Sequence, residues 1–448
     1  MDGNTADGAE RMHDFEIILI LLAAALGLTI LAQWLKLPYP ILLVSGGLLL
    51  SLQPYAPEFV LAPDVVFLVF LPPLLYGAAF NTHWPRFRRQ LRAITLLAVG
   101  LVLFTTTAVA WVAHDFVGLD WGPAFVLGAV VSPPDAVAAL AVTKRLRVPK
   151  IISTLLEGES LVNDASALVA YRMAVAAVVT GVFSLEAAGI SFVKVSVGGV
   201  IMGFLMGIVI EHLSKLLERS EHTDHKFNIA ATLLAPYAAY LPAEHLGFSG
   251  VLAVVVAGLW IGSRHRKIFS RELMVEARAV WETMDFILNG LIFILIGFQL
   301  PAILKTLSVG RDPWFLLQGA VIVAAAVILT RILWVFPGAY GPRWLDRRIL
   351  GRGDPYPPWE LVTVVAWTGM RGVVSLAAAM AIPLKLADGV TDFPQRDLIQ
   401  FLTFWVIFAT LVGQGLTLPL LIRLLGIEKR EELYVDPNTT EVPRLERD

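Results

Sequence analysis

The stretch GAVVSPPDAVAALAV, residues 128–142, decides what kind of fold this chain can adopt. It is apolar enough to lie in a hydrocarbon core, yet Pro133, Pro134 and Asp135 follow one another in its middle. Each proline lacks an N–H and clashes with the carbonyl one turn back, so a helix must break or kink near Ser132. Lipid offers no partner to the carbonyls so freed, and irregular backbone at that depth is tolerated only against protein or a watery cavity. The stretch therefore calls for a bundle of other helices around it. Asp135 has two roles open to it: with the freed carbonyls it can stabilise a cation, and as a cap it can satisfy the second half-helix. One carboxylate can do both.

Composition agrees with a membrane-embedded bundle. The chain has 448 residues, 57% hydrophobic and only 16% charged, with a mean hydropathy of +0.71. Soluble domains carry about 25% charged residues. With 35 Lys+Arg against 37 Asp+Glu the net charge is -2, so no cationic excess points to nucleic acid. The absence of cysteine excludes a disulfide framework, thiol catalysis and Cys-ligated metal or cluster sites.

A crossing helix needs about 20 apolar residues. Thirteen apolar stretches bounded by charges, Pro or Gly lie between residues 15 and 424, among them 121–143, 151–181, 359–384 and 398–424. Connections after the odd-numbered stretches hold 21 Lys and Arg, whereas the N-terminus and the connections after the even-numbered ones hold only Arg11, Lys305, Arg311, Lys385 and Arg396. The positive-inside rule then puts the N-terminus outside and the C-terminus in the cytoplasm. The first fourteen residues lack a basic signal-peptide start, so the first stretch is expected to be retained. The expected organisation is a transmembrane domain over 1–425 and a short cytoplasmic tail over 426–448.

An ionisable group left inside the bilayer is a functional candidate once its partner is named. The sixth stretch opens EGESLVNDASALVAYRM, residues 157–173, the densest polar run in any of them. On a helix Glu157, Ser160 and Asp164 fall on one stripe, with Glu159 and Asn163 beside it. Burial favours the protonated form of a carboxylic acid, which lets such a group trade a proton for a cation. The Ser160 hydroxyl and nearby carbonyls supply the neutral oxygens a hard alkali cation prefers. Asp164 and Ser160 are therefore the expected metal-cation ligands, while Glu157 is expected at the headgroup level. In the twelfth stretch, AWTGMRGVVSLAAAM, Arg371 sits between Gly369 and Gly372 and needs carboxylate or carbonyls around it. Glu159 is its expected partner. Arg331 is expected to satisfy a helix end, Arg172 to snorkel outward, and Asn289, Gln299 and Gln414 to bond between helices. The eight histidines form no metal-binding motif.

These pieces resemble the monovalent cation:proton antiporter family of bacterial sodium/proton antiporters and animal sodium/proton exchangers. FLPPLLYGAAF (70–80), SPPDAVAALAV (132–142), EGESLVNDASALVAY (157–171), LNGLIFILIGFQL (288–300) and GMRGVVSLA (369–377) carry the likeness, which extends over all thirteen stretches. The resemblance implies an all-α fold with inverted repeats, a dimerisation part and a core part, and two broken helices crossing near the midplane. Pro133 and Pro134, and Gly369 and Gly372, fall where those breaks are expected. It implies a transport carboxylate at Asp164 assisted by Asn163, Ser160 and Asp135, and a structural Glu159 to Arg371 ion pair. Adjacent Asn163 and Asp164 look like the pair that marks the electroneutral branch. The function so implied is Na+/H+ antiport by a homodimer in the cell membrane, with Na+ and H+ as substrates and no cofactor, K+/H+ exchange being the alternative. The chain departs from the family at Gly77, where many members have an acid, at Pro134, where many have Thr, and at Asn289, where relatives often have Glu.

Two other classes use the same residues. An intramembrane aspartyl protease would need both Asp135 and Asp164, but its Gly-x-Gly-Asp element is missing, Ser-Pro-Pro-Asp and Val-Asn-Asp standing instead. A proton or cation channel would share every site residue and differ only in lacking counterflow.

Overall fold

The computed structural model describes residues 3–53, 62–146, 148–219, 225–307, 312–349, 351 and 355–427. Most of the expected tail, from 428 onward, lies outside them, as do Arg147, Arg311 and Arg352. The described residues are nearly all helical, with a single antiparallel bridge between Lys385 and Asp392 and no strand. Helix lies over each of the thirteen apolar stretches. Among the described residues eight units are long and apolar enough to cross a bilayer: Pro63–Asn81, Trp84–Val117, Trp121–Thr143, Lys150–Thr180, Leu185–Leu217, Arg271–Lys305, Pro313–Ile349 and Arg396–Leu424. Leu19–Leu35, Tyr39–Ser51 and Gly250–His265 are shorter apolar helices.

Local chemistry sets many of the ends. Gly118 and Gly181 stop their helices with φ of 75° and 69°, a left-handed conformation that glycine adopts without a Cβ penalty. Ser249 and Ser270 cap Gly250–Ile268 and Arg271–Phe298 by accepting from Leu252 and Leu273 N–H groups. Small residues let backbones touch: a Cβ on Gly128 would strike the Thr106 carbonyl, and one on Gly297 would strike that of Val44.

The helices fall into two packing sets interleaved along the chain. Trp84–Val117, the 121–145 unit, Lys150–Thr180, Pro313–Ile349, the 359–380 unit and Arg396–Leu424 pack mainly on one another. The helices before residue 82 and those from 185 to 298 form the second set. The Leu185–Arg219 helix buries least, only 17% of its apolar window, and turns Ile190, Val193, Val197, Ile201, Phe204 and Leu205 outward.

Two units in the first set are discontinuous. Trp121–Val131 ends at the prolines and Ala136–Arg145 resumes beyond them. Trp359–Trp367 ends before Gly369, and Val373–Met380 resumes after Gly372. Thus each break expected from the sequence is a gap of four or five residues, and the two gaps touch: Asp135 N–H donates to the Met370 carbonyl at 2.7 Å.

Candidate functional site

At the contact between the two gaps, four helix ends meet, each with orphan backbone groups. Asp135 caps Ala136–Arg145, its Oδ1 accepting from Val137 N–H at 2.8 Å. The same carboxylate faces the Val373 N–H, the first turn of the other resuming half-helix. It lies so close over Gly372 that any Cβ there would collide with it. Arg371 does the opposite job at the two ending half-helices. Its guanidinium donates to the carbonyls of Val131 at 2.9 Å, of Ser132 at 3.4 Å, and of Gly369. Its own N–H is held by Thr410 Oγ1 at 3.0 Å, where the 396–424 unit widens into a π turn. The negative group therefore sits at the positive ends of helix dipoles and the positive group at the negative ends.

The Lys150–Thr180 helix runs past this crossing and presents one residue after another to it. Asn163 Nδ2 donates to the Pro134 carbonyl at 2.8 Å, fastening the helix to the break. Ser160 Oγ accepts from Ala136 N–H at 3.4 Å. Asn163 is fully buried, and its Oδ1 has no hydrogen-bond partner. Asp164, 7% exposed, is near enough to Asp135 for the two charges to repel. No hydrogen bond or ion pair engages its carboxylate among the described residues. The structure thus brings Asp135, Ser160, Asn163 and Asp164 together around one spot. Beside this one break stand two carboxylates, a hydroxyl and an amide oxygen, all of them oxygen donors.

The Glu159 to Arg371 pair expected from the sequence is not what the structure contains. Glu159 is clamped bidentately by Arg331, Nη1 to Oε1 at 2.5 Å and Nη2 to Oε2 at 2.8 Å, with both side chains out of solvent. Arg331 also donates from Nε to the Val365 carbonyl at 3.1 Å, so it does satisfy a helix end as well. Arg371 is drawn to carbonyls because two helices stop beside it, and that leaves Glu159 to the other buried arginine. Arg172 lies half exposed and bonds Glu244. Asn289 donates back to the Asp285 carbonyl within its own helix, and the amide of Gln414, though buried, finds no hydrogen-bond partner. Those two do not bond between helices as expected.

Three participants were not singled out from the sequence. Arg331 reads from its position only as a helix-end residue, and Thr410 lies in an apolar run with nothing to mark it. The third is Asp285, whose carboxylate fills the space beside Gly77: a Cβ there would lie 3.3 and 3.4 Å from its two oxygens. An acid thus stands against residue 77 although residue 77 is not acidic. Its signal was a lone Asp in the apolar run MDFILNG, residues 284–290. Among the described residues no group of three or more His, Asp or Glu side chains could hold a metal together.

Comparison with known proteins follows the same outline. The family model described as sodium/hydrogen exchanger, transmembrane, matches residues 18–424. A sodium, potassium, lithium and rubidium/H(+) antiporter of Bacillus pumilus is 34% identical over 96% of this chain and 64% of its own length. A protein of the same description from Bacillus subtilis is 34% identical over 92% of this chain and 62% of its own length. The chain thus spans less than two thirds of either. A Na(+)/H(+) antiporter of Aphanothece halophytica is 31% identical over 94% of this chain and 77% of its own length. Among solved structures, the sodium proton antiporter MjNhaP1 of Methanocaldococcus jannaschii superposes with a TM-score of 0.74, covering 93% of this chain and all of that one at 19% identity. The last likeness speaks to the fold alone.

Proposed function

Since the chain belongs to the sodium/hydrogen exchanger family, we propose that it exchanges a monovalent cation for a proton, with Asp164 as the group that carries each in turn. One observation carries this: a buried carboxylate without a hydrogen-bond or ion-pair partner, set beside a second carboxylate where two broken helices meet. An ionised Asp164 left alone in low dielectric is unfavourable, so the site is stable with a proton or a cation on it and not with neither. It also disfavours holding both, because a protonated carboxyl is a poor cation ligand. Mutual exclusion at one group is the coupling. Ser160, Asn163 through its Oδ1, and Asp135 complete the cation's oxygen shell, while Arg331 and Glu159 hold the helix in place.

The two interleaved packing sets support a core that moves against a scaffold, and the exposed apolar face of Leu185–Arg219 supports a second copy packed on the scaffold side, giving a homodimer. The charge asymmetry of the connections supports an N-terminus outside and a C-terminus inside the cell membrane, over a single transmembrane domain. Na+ is the favoured cation. K+ is the second reading, because the Bacillus pumilus relative is described as a carrier of both. The family is one of transporters, which sets aside the protease reading. No cofactor enters, since the cation is substrate.

Everted vesicles or proteoliposomes with a preset pH gradient and a pH dye test this. Added Na+ is expected to dissipate the gradient, and Asp164→Asn, nearly the same size and uncharged, to abolish the response. Exchange that persists in Asp164→Asn would sink the assignment. Lowering the pH is expected to raise the apparent KM for Na+ while leaving the rate at saturating Na+ on the same side unchanged, since protons and Na+ compete. A panel of Na+, K+ and Li+, with and without valinomycin, reads selectivity and charge balance.

A further inference from the structure

One turn beyond Asp164, on the side away from Lys150, lies a cavity of about 220 Å³, room for about seven waters at roughly 30 Å³ each. Leu168, Tyr171 and Arg172 of the Lys150–Thr180 helix line it together with Asp64, Tyr240 and Glu244 of the other packing set. Leu168 follows Asp164 by four residues, so the two stack on one helix face and the cavity continues the line of the cation spot. Tyr171 is 8% exposed, and its hydroxyl has no hydrogen-bond partner. Arg172 Nη2 donates to Glu244 Oε2 at 2.9 Å, while Glu244 Oε1 accepts from Gly250 N–H at 3.0 Å.

The Arg172 to Glu244 pair differs from others in the molecule. Glu159 with Arg331 and Arg92 with Asp346 lie within the first set, and Glu211 with Lys215 lies within the second. Arg172 to Glu244 joins the two sets across a cavity that water can fill. While it holds, the three charges lining the cavity leave one net negative charge, that of Asp64. If Glu244 lost its charge, Arg172 would cancel Asp64 and the cavity would no longer attract a cation. A concave, low-dielectric wall focuses such differences.

We propose that this cavity is the cation vestibule on the outer side of the Asp164 site. Glu244, by neutralising Arg172, sets its charge and with it the cation affinity seen from that side, while the Tyr171 hydroxyl gives a passing cation an oxygen. This rests on the antiport reading and on its N-outside topology.

The test measures Na+/H+ exchange with Na+ offered to the outer face in right-side-out vesicles and to the cytoplasmic face in everted ones. Glu244→Gln keeps the acceptor for Gly250 and is expected to raise the outer KM for Na+ about three- to tenfold. Arg172→Gln lowers it by a similar factor, Arg172→Lys leaves it in place, and Tyr171→Phe raises it by less. The cytoplasmic KM and the maximal rate stay within about twofold throughout, because the charge change is local. Equal shifts at both faces, or an outer KM unmoved in both Glu244→Gln and Arg172→Gln, overturn the vestibule while exchange itself stands. Wild-type vesicles without exchange, or exchange surviving Asp164→Asn, overturn the antiport reading and the vestibule with it.

Discussion

The 121–145 unit and the 359–380 unit meet the same difficulty, a helix interrupted inside a membrane, in opposite ways. The first is broken by Pro133 and Pro134 and carries an acid at the break; the second is opened around Gly369 and Gly372 and carries a base. Neither could stand alone. The carbonyls freed in the first are taken by Arg371 of the second, and the N–H of Val373, which opens Val373–Met380, is faced by Asp135 of the first. Each side chain serves both breaks: Asp135 also caps its own second half-helix, and Arg371 also bonds the Gly369 carbonyl of its own unit. The lesson is that Asp135 and Arg371 are largely committed to backbone, and that the uncommitted charge is the nearby Asp164. Within the Lys150–Thr180 helix the same contrast recurs over five residues: Glu159 is clamped by Arg331 and Asp164 is not.

The sharpest way to break this comparison is Arg371→Ala. It strips donors from the buried carbonyls of Val131, Ser132 and Gly369 at about 1–3 kcal/mol each. Little folded protein is expected on size-exclusion in detergent; a monodisperse variant with wild-type thermal stability would show that the breaks do not depend on each other. Next, Arg331→Ala leaves Glu159 charged and buried, at about 3–5 kcal/mol. Adding Glu159→Gln to it should recover much of the lost melting temperature, whereas Asp164→Asn should cost none. A melting temperature that falls as far for Asp164→Asn as for Arg331→Ala would erase the distinction between the two carboxylates. Gly372→Ala comes third, since its Cβ must push the Asp135 carboxylate aside, an overpacking cost of about 1–3 kcal/mol. It should impair exchange along with stability, and normal exchange would mean that Asp135 has room elsewhere. Among the residues at the two breaks, the smallest change in stability is expected for Asp135→Asn, because Asn caps a helix about as well as Asp, whereas Asp135→Ala costs about 0.5–2 kcal/mol. If both variants melt alike, capping is not what holds Asp135 in place.

Much of this architecture was legible in the residues. Hydropathy marked the apolar stretches that lie in helix, though not the charged turns 84–91 and 271–280 that lead into two of them. The double proline placed one break, the glycines around Arg371 placed the other, and the stripe through Ser160 and Asp164 marked the helix that runs past both. The partner of Glu159 was not legible. Arg331 and Glu159 are 172 positions apart, and Arg331 and Arg371 both stand in apolar helices with nothing local to choose between them. Asp285 beside Gly77 and Thr410 beneath Arg371 were hidden for the same reason, since each matters through a neighbour on another helix.

By itself the sequence determined that the chain is a bundle of apolar helices, where two of them break, and that Asp135, Glu159, Asp164 and Arg371 stand within apolar stretches. These follow from transfer and backbone terms that are local and nearly additive along the chain. Only the tertiary structure decided which arginine holds Glu159, which carbonyls hold Arg371, and that Asp164 is left without a partner. A buried charge must find a partner at hydrogen-bonding distance, and that distance is fixed by how helices far apart in the chain pack.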